Sequence, residues 1–217
     1  MTAATSPGTV PFGVLHALAV KGMTRPGPLA ASAGTGPAGL DAALGGLRDA
    51  GLARYLAARD LWQITPDGRA EHARLLAADL PDTERDALRP GYQRFLPLNT
   101  RLKEICARWQ LRDGAVNDHS DPGYDQRCVA GLTGLHPAAA EVTAGLAAVR
   151  PRFGGYGDRL AAALDRLRGG DRTAFTGVLC DSYHDVWMEL HRDLLLSLRI
   201  SRDAEEAAPG PPGPGPR

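Results

Sequence analysis

Between residues 38 and 69 the side-chain pattern changes period in a way that few folds accommodate. Leu40, Ala43-Leu44, Leu47 and Ala50 recur at three- and four-residue intervals, the spacing of one helical face. Gly51 follows, where a helix usually ends in a left-handed residue. Two short runs, 52–56 and 61–64, then read as strands, with 57–60 at the tip between them. Thr65 is a good N-cap and Pro66 suits a first helical position, so another helix starts there and reaches about Ala78. Helix, hairpin and helix follow one another with almost no linker.

Upstream, Phe12, Leu15, Leu18 and Ala19 form one stripe of a first helix that stops near Gly22-Met23-Thr24. Arg25-Pro26-Gly27-Pro28 opens a short second helix holding Leu29 and Ala30, and Gly34-Thr35-Gly36-Pro37 makes the turn into the third. These elements define a first domain, 10–80. A second domain, 82–202, reads as a helical bundle. Tyr92, Phe95, Leu98, Leu102, Ile105 and Trp109 recur at helical spacing, although Pro97 is expected to kink or delay that helix. A polar loop spans 113–121. Asp121-Pro122 and His136-Pro137 each look like a cap with proline at the first helical position, predicting two helices that end near Leu135 and Val149. Leu160, Leu164 and Leu167 mark a further helix, and Gly169-Gly170-Asp171 breaks it before a last and longest helix, 172–199. The ends, 1–9 and 203–217, are too small, polar or Pro-Gly-rich to pack and are expected to be disordered tails.

Aromatic residues make up only 6% of the chain while alanine, leucine and arginine abound, which favours a mainly α fold. The formal net charge is +0, so no global basic field draws the molecule to nucleic acid, and any such binding must come from a local surface. Cys106, Cys128 and Cys180 are widely spaced, without a paired metal pattern or a disulfide framework, and read as reduced thiols. No stretch approaches the roughly 20 apolar residues that cross a bilayer. Residues 1–9 lack the charged and apolar regions of a signal peptide. A cytoplasmic protein without membrane partners is expected.

The run Leu61-Trp62-Gln63-Ile64-Thr65-Pro66-Asp67-Gly68-Arg69, with Leu44, Leu47, Gly51 and Leu52 before it, resembles the bacterial winged helix-turn-helix transcriptional regulators, MarR-like in the broad sense. The resemblance covers about a third of the chain. It implies an N-terminal winged helix with a two-stranded wing, binding double-stranded DNA. By the resemblance, Thr35, Gly36, Ala38, Gly39 and Asp41 sit at the groove-facing start of the reading helix, with Arg48 later on it. Arg54 and Arg59 fall on the wing, within reach of phosphates. The chain departs from the family pattern in offering no Arg, Lys, Gln or Asn at the front of that helix. Over 10–79 the basic Lys21, Arg25, Arg48, Arg54, Arg59, Arg69 and Arg74 barely exceed the acidic Asp41, Asp49, Asp60, Asp67, Glu71 and Asp79. A homodimer is expected, since two half-sites multiply modest contacts. The alternative is a non-enzymatic accessory protein whose winged helix contacts another protein.

In the second domain Cys180, His184, Trp187-Met188, His191 and Leu195 fall near one helical face. Trp109, Tyr183, His184, Trp187 and His191 are the candidate lining of a pocket for a small-molecule effector. His184 and His191 are also candidate metal ligands, with Asp118, His119, Asp121 or His136 as further donors, although no cofactor is the default expectation. The chain shows no nucleophile elbow, no P-loop and no dinucleotide glycine run, so a non-enzymatic regulator is expected.

Overall fold

The computed structural model describes residues 11–201 together with Asp203 and Glu205. The expected tails, 1–9 and the remainder of 203–217, lie outside the described residues. The described chain is mainly helical, with nine α-helices and two small antiparallel sheets. It divides into two compact units, Met1–Pro81 and Asp82–Arg217.

Unit 1 runs α1 (Phe12–Lys21), β1 (Met23–Thr24), α2 (Pro26–Ala33), α3 (Pro37–Asp49), β2 (Ala53–Leu56), β3 (Leu61–Ile64) and α4 (Pro66–Asp79). Three of these helices open on proline, whose missing N–H is not needed in the first turn. The expected two-stranded hairpin is part of a three-stranded sheet ordered β1-β3-β2. β1 pairs Met23 with Gln63 and Thr24 with Trp62. A strand of two residues is too short to display a period, which is why the sequence pattern gave no sign of it.

Leu15, Leu18, Leu29, Leu40, Leu44, Leu47 and Ile64 are buried together between the helices and the sheet. Each contributes about 1.5–3 kcal/mol relative to exposure. Two histidines complete the packing of α1 on α4, with His16 Nδ1 3.0 Å from His72 Nε2. The exit from the hairpin is fixed by Thr65, whose hydroxyl donates to the Gly51 carbonyl (2.7 Å) and accepts from the Gly68 N–H (3.0 Å). Gly68 is required by close approach, because a Cβ there would stand 2.0 Å from the Leu52 carbonyl oxygen.

Unit 2 runs α5 (Asp82–Gln110), β4 (Leu111–Arg112), β5 (Ala115–Val116), α6 (Pro122–Val149), α7 (Gly154–Arg168), α8 (Thr173–Thr176) and α9 (Tyr183–Leu198). Several expectations are corrected here. α5 passes through Pro90 and Pro97, and α6 passes through Pro137, so the two helices expected on either side of His136-Pro137 are one. All three prolines are solvent-exposed, where a carbonyl that loses its N–H partner can be hydrated. Leu98, expected in the core, is only half-buried. The start of the expected polar loop is the turn and second strand of a hairpin in which Leu111 pairs with Val116 and Arg112 with Ala115. Its two turn residues, Asp113 (φ 51) and Gly114 (φ 81), both take left-handed backbone, as a tight hairpin turn demands.

The expected last helix over 172–199 is two helices. Asp171 accepts from the Thr173 N–H (3.0 Å) and starts the one-turn α8. The chain then breaks at Leu179 (φ 58) and Asp181 (φ 52) and restarts at Ser182. The Ser182 hydroxyl donates to the Gly177 carbonyl (2.6 Å) and accepts from the Asp185 N–H (3.1 Å), an N-cap that opens α9. Cys180 therefore lies before the helix that was expected to carry it. No helix among the described residues is long and apolar enough to cross a membrane.

Candidate functional site

The surface of unit 1 that the sequence singled out is built from α3 and the β2–β3 hairpin. α3 turns Leu40, Leu44 and Leu47 into the core, which leaves Ala38, Gly39, Asp41, Ala42, Gly46, Arg48 and Asp49 exposed on its other side. Gly36 at its N-cap is exposed as well, and Thr35 is half-buried. The Arg48 guanidinium lies 3.3 Å from the Asp49 carboxylate, a solvent-exposed pair of little energetic weight. On the hairpin, Arg54 faces Gln63 across the strands and donates to its side-chain oxygen from Nε (2.9 Å) and Nη2 (2.7 Å). This pairing holds the guanidinium upright at the surface. Tyr55 packs on Trp62 with ring centroids 5.4 Å apart and donates its hydroxyl to Asp60 (2.8 Å), a bond that raises the phenol above its ordinary value. Arg59 is exposed at the hairpin tip. The sequence reading missed Gln63 and Tyr55, yet counting cross-strand partners along the hairpin would have paired each with its neighbour.

In unit 2 the proposed effector residues divide: Tyr183 stacks on Trp187 (6.5 Å), Trp187 and His191 both pack on Phe95, and Trp109 lies apart from them. Tyr183 and Trp187 are fully buried core residues of α9, not an accessible pocket lining. Trp187 stacks on Phe95 (4.7 Å) and donates its indole N–H to Asn99 (3.0 Å). The Tyr183 hydroxyl lies 3.2 Å from His136 Nδ1. Trp109 packs elsewhere, against His119 (4.4 Å) and Phe175 (4.5 Å). His191 lies beside Phe95 (5.3 Å), with Nε2 2.8 Å from the Glu205 carboxylate. His184 is half-buried, and its burial pushes the imidazole below its ordinary value against the opposing charge of Asp185.

Comparison of the chain with family models, curated proteins and solved structures gives no match.

Among the described residues, no group of three or more His, Cys, Asp or Glu side chains stands close enough together to hold a metal ion. His184 and His191 share a face, but two helical turns separate them by about 10 Å of rise. A zinc ligand must stand about 2 Å from its ion. The other candidate donors are turned elsewhere: His119 Nδ1 donates to Asp125 (3.0 Å), and the Asp121 side chain caps α6 by accepting from the Tyr124 N–H (3.0 Å). Asp118 accepts from the Ser120 N–H (2.9 Å).

A polar seam unforeseen in the sequence joins α7 to α9. Arg159 donates to Glu189 (2.8 Å) and Asp181 (2.7 Å), ion pairs that outweigh the opposing effect of burial and hold its guanidinium above the usual range. One turn away, fully buried Asp193 accepts from Tyr156 (3.1 Å), Ser197 (2.9 Å) and Arg152 (3.3 Å). The carboxylates of Asp181, Glu189 and Asp193 are each paired, so this seam is suited to fixing helix register.

Proposed function

We propose that unit 1 is a winged helix DNA-binding module, that the chain is a dimeric transcriptional regulator, and that unit 2 carries dimerisation and effector sensing. The observation that carries this reading is the order α1-β1-α2-α3-β2-β3, with an exposed α3 followed directly by a hairpin bearing Arg54 and Arg59. A helix of this kind fits the major groove, and a hairpin beside it reaches the flanking backbone. The lining of α3 bears on how it would bind. Ala38, Gly39, Ala42 and Gly46 let the backbone approach closely but supply no bidentate base reader. Affinity then comes mainly from phosphate contacts of the arginines.

The test is a mobility-shift titration on the DNA upstream of the chain's own coding region, repeated from low to physiological salt. The chain is expected to retard that duplex, with affinity falling steeply as salt rises. Arg59→Ala is expected to weaken binding to all sequences alike and to reduce the salt slope by about 1, the signature of one lost phosphate contact. Arg54→Ala is expected to do the same, since its guanidinium is already held in place by Gln63.

The exposed small residues of α3 also favour a second reading, in which a partner protein seats on that helix. A chain that ignores the duplex at every salt concentration but copurifies stoichiometrically with one protein would establish it.

A further inference from the structure

The side chain of Glu205 is held in unit 2 by two groups that lie far from it in sequence. Tyr92 of α5 donates its hydroxyl to Oε1 (2.5 Å), and His191 Nε2 of α9 lies 2.8 Å from the same oxygen. Tyr92 and His191 are both buried, and the fully buried Phe95 forms an aromatic wall beside the imidazole. Burial works to raise the Glu205 carboxyl. The hydrogen bonds from Tyr92 and His191, together with the charges of His191 and Lys103, outweigh it and hold the group below the usual carboxylate value. Two converging donors and nearby positive charge are built for a carboxylate. Without one, two buried polar groups would lose their acceptor.

One turn along α9 from His191, Leu195 lines a groove of about 490 Å³ shared with Leu196, Ile200, Arg192, Arg199 and Ser201. That volume lies within the range of small-molecule sites. Its lining is apolar at the leucines and isoleucine and cationic at the arginines.

We propose that Tyr92 and His191 form a binding site for an aliphatic monocarboxylate, which the chain's own Glu205 fills in this structure and an external acid displaces. The Glu205 side chain is itself such an acid, a carboxylate on a short methylene stem, and so defines what the site accepts. A longer alkyl chain than glutamate carries is assigned to the groove, whose lining comes within one turn of His191 at Leu195 but does not include Tyr92 or His191. This inference names the effector class for the sensing role proposed for unit 2 and rests on that role, but the site is tested without DNA.

The experiment is calorimetric titration of the full chain with hexanoate, using hexanol and hexylamine as controls. A tethered competitor acts at millimolar effective concentration, so Glu205→Ala and Glu205→Gln are expected to bind hexanoate at least about tenfold more tightly than the parent chain. Adding Tyr92→Phe to either variant keeps the ring and removes the donor, and is expected to cost about tenfold or more. The His191 ring signals in the NMR spectrum should move on hexanoate addition and not with hexanol. Thermal melting shows which variants are folded. The proposal is overturned if folded Glu205 variants bind hexanoate no better than the parent, or if Tyr92→Phe leaves their binding unchanged. A chain that takes hexanoate but no duplex keeps this site and loses the DNA reading; one that retards the duplex but ignores hexanoate does the reverse.

Discussion

Replacing Asp193 by alanine is expected to destabilise unit 2 by about 3–5 kcal/mol, the cost of removing one partner from a buried ion pair. The Asp193 carboxylate is fully buried and accepts from the Tyr156 hydroxyl, the Ser197 hydroxyl and the Arg152 guanidinium. Removing it leaves those donors facing a cavity that alanine cannot fill. Arg152 retains its 2.7 Å hydrogen bond to Ser197, which limits the loss but does not supply a counter-charge. Asp193→Asn keeps an acceptor oxygen and is expected to cost roughly half as much, since a hydrogen bond to a charged group exceeds a neutral one about twofold. Thermal melting followed by circular dichroism separates the two. A loss of this size lowers the midpoint by roughly 10–20 °C in a unit of this length. Equal stability of the alanine variant and the parent chain would show that the seam does not hold α7 on α9.

Gly68→Ala is expected to destabilise unit 1 by about 3 kcal/mol, at the upper end for overpacking. The added methyl would stand 2.0 Å from the Leu52 carbonyl oxygen and 2.8 Å from Ile64 Cγ1. The first of these atoms is backbone and has no rotamer to move to. The start of α4 must therefore shift away from the start of β2. That shift breaks the bond from the Thr65 N–H to the Leu52 carbonyl (3.1 Å) and the Thr65 hydroxyl bond to Gly51 (2.7 Å). Amide hydrogen exchange is the suitable readout, because it reports each unit separately. Protection is expected to fall in α1, α3 and β3 while α5 and α6 keep theirs. Unchanged protection in β3 would mean that α4 accommodates the methyl without disturbing the hairpin.

Apart from β1, the elements of unit 1 were legible because their signals are local. Thr65-Pro66 as cap and first turn, the Leu40-Leu44-Leu47 stripe and Gly51 after it each act within a few residues, and local chemistry decides them. Unit 2 was misread where tertiary packing overrides local preference. Proline argues for a helix end, but at Pro137 the ring faces solvent and the helix continues on its buried contacts. Asp113-Gly114 between Leu111-Arg112 and Ala115-Val116 is a strong short-range hairpin signal, and it was overlooked because the segment is polar. Ser182 three residues before Asp185 likewise resembles a capping box and marks the true start of α9.

The candidate sites follow the same division. Exposure of Ala38, Asp41 and Arg54 follows from helix and strand period, and that of Arg59 from its place at the hairpin tip. Tyr92 and Glu205 meet although 113 residues separate them, and Arg159 meets Glu189 across 30. Nothing in one sequence distinguishes such a buried carboxylate from one in water. Tyr183 and Trp187 read as pocket lining because they lie close in sequence to His184 and His191. The partners that take their polar atoms inward, His136 and Asn99, lie on other helices.

Ala38→Glu is the substitution that separates a DNA-binding face on α3 from one elsewhere in the chain. Ala38 is exposed in the first turn of α3, where a carboxylate is favoured by the helix dipole, so the variant should fold as well as the parent. Fluorescence anisotropy with the upstream duplex is expected to show at least about a tenfold loss of affinity, because the new charge would be set against the phosphates that flank the major groove. A folded Ala38→Glu chain that binds the duplex as tightly as the parent would contradict a DNA-binding face on α3 and move the DNA surface elsewhere.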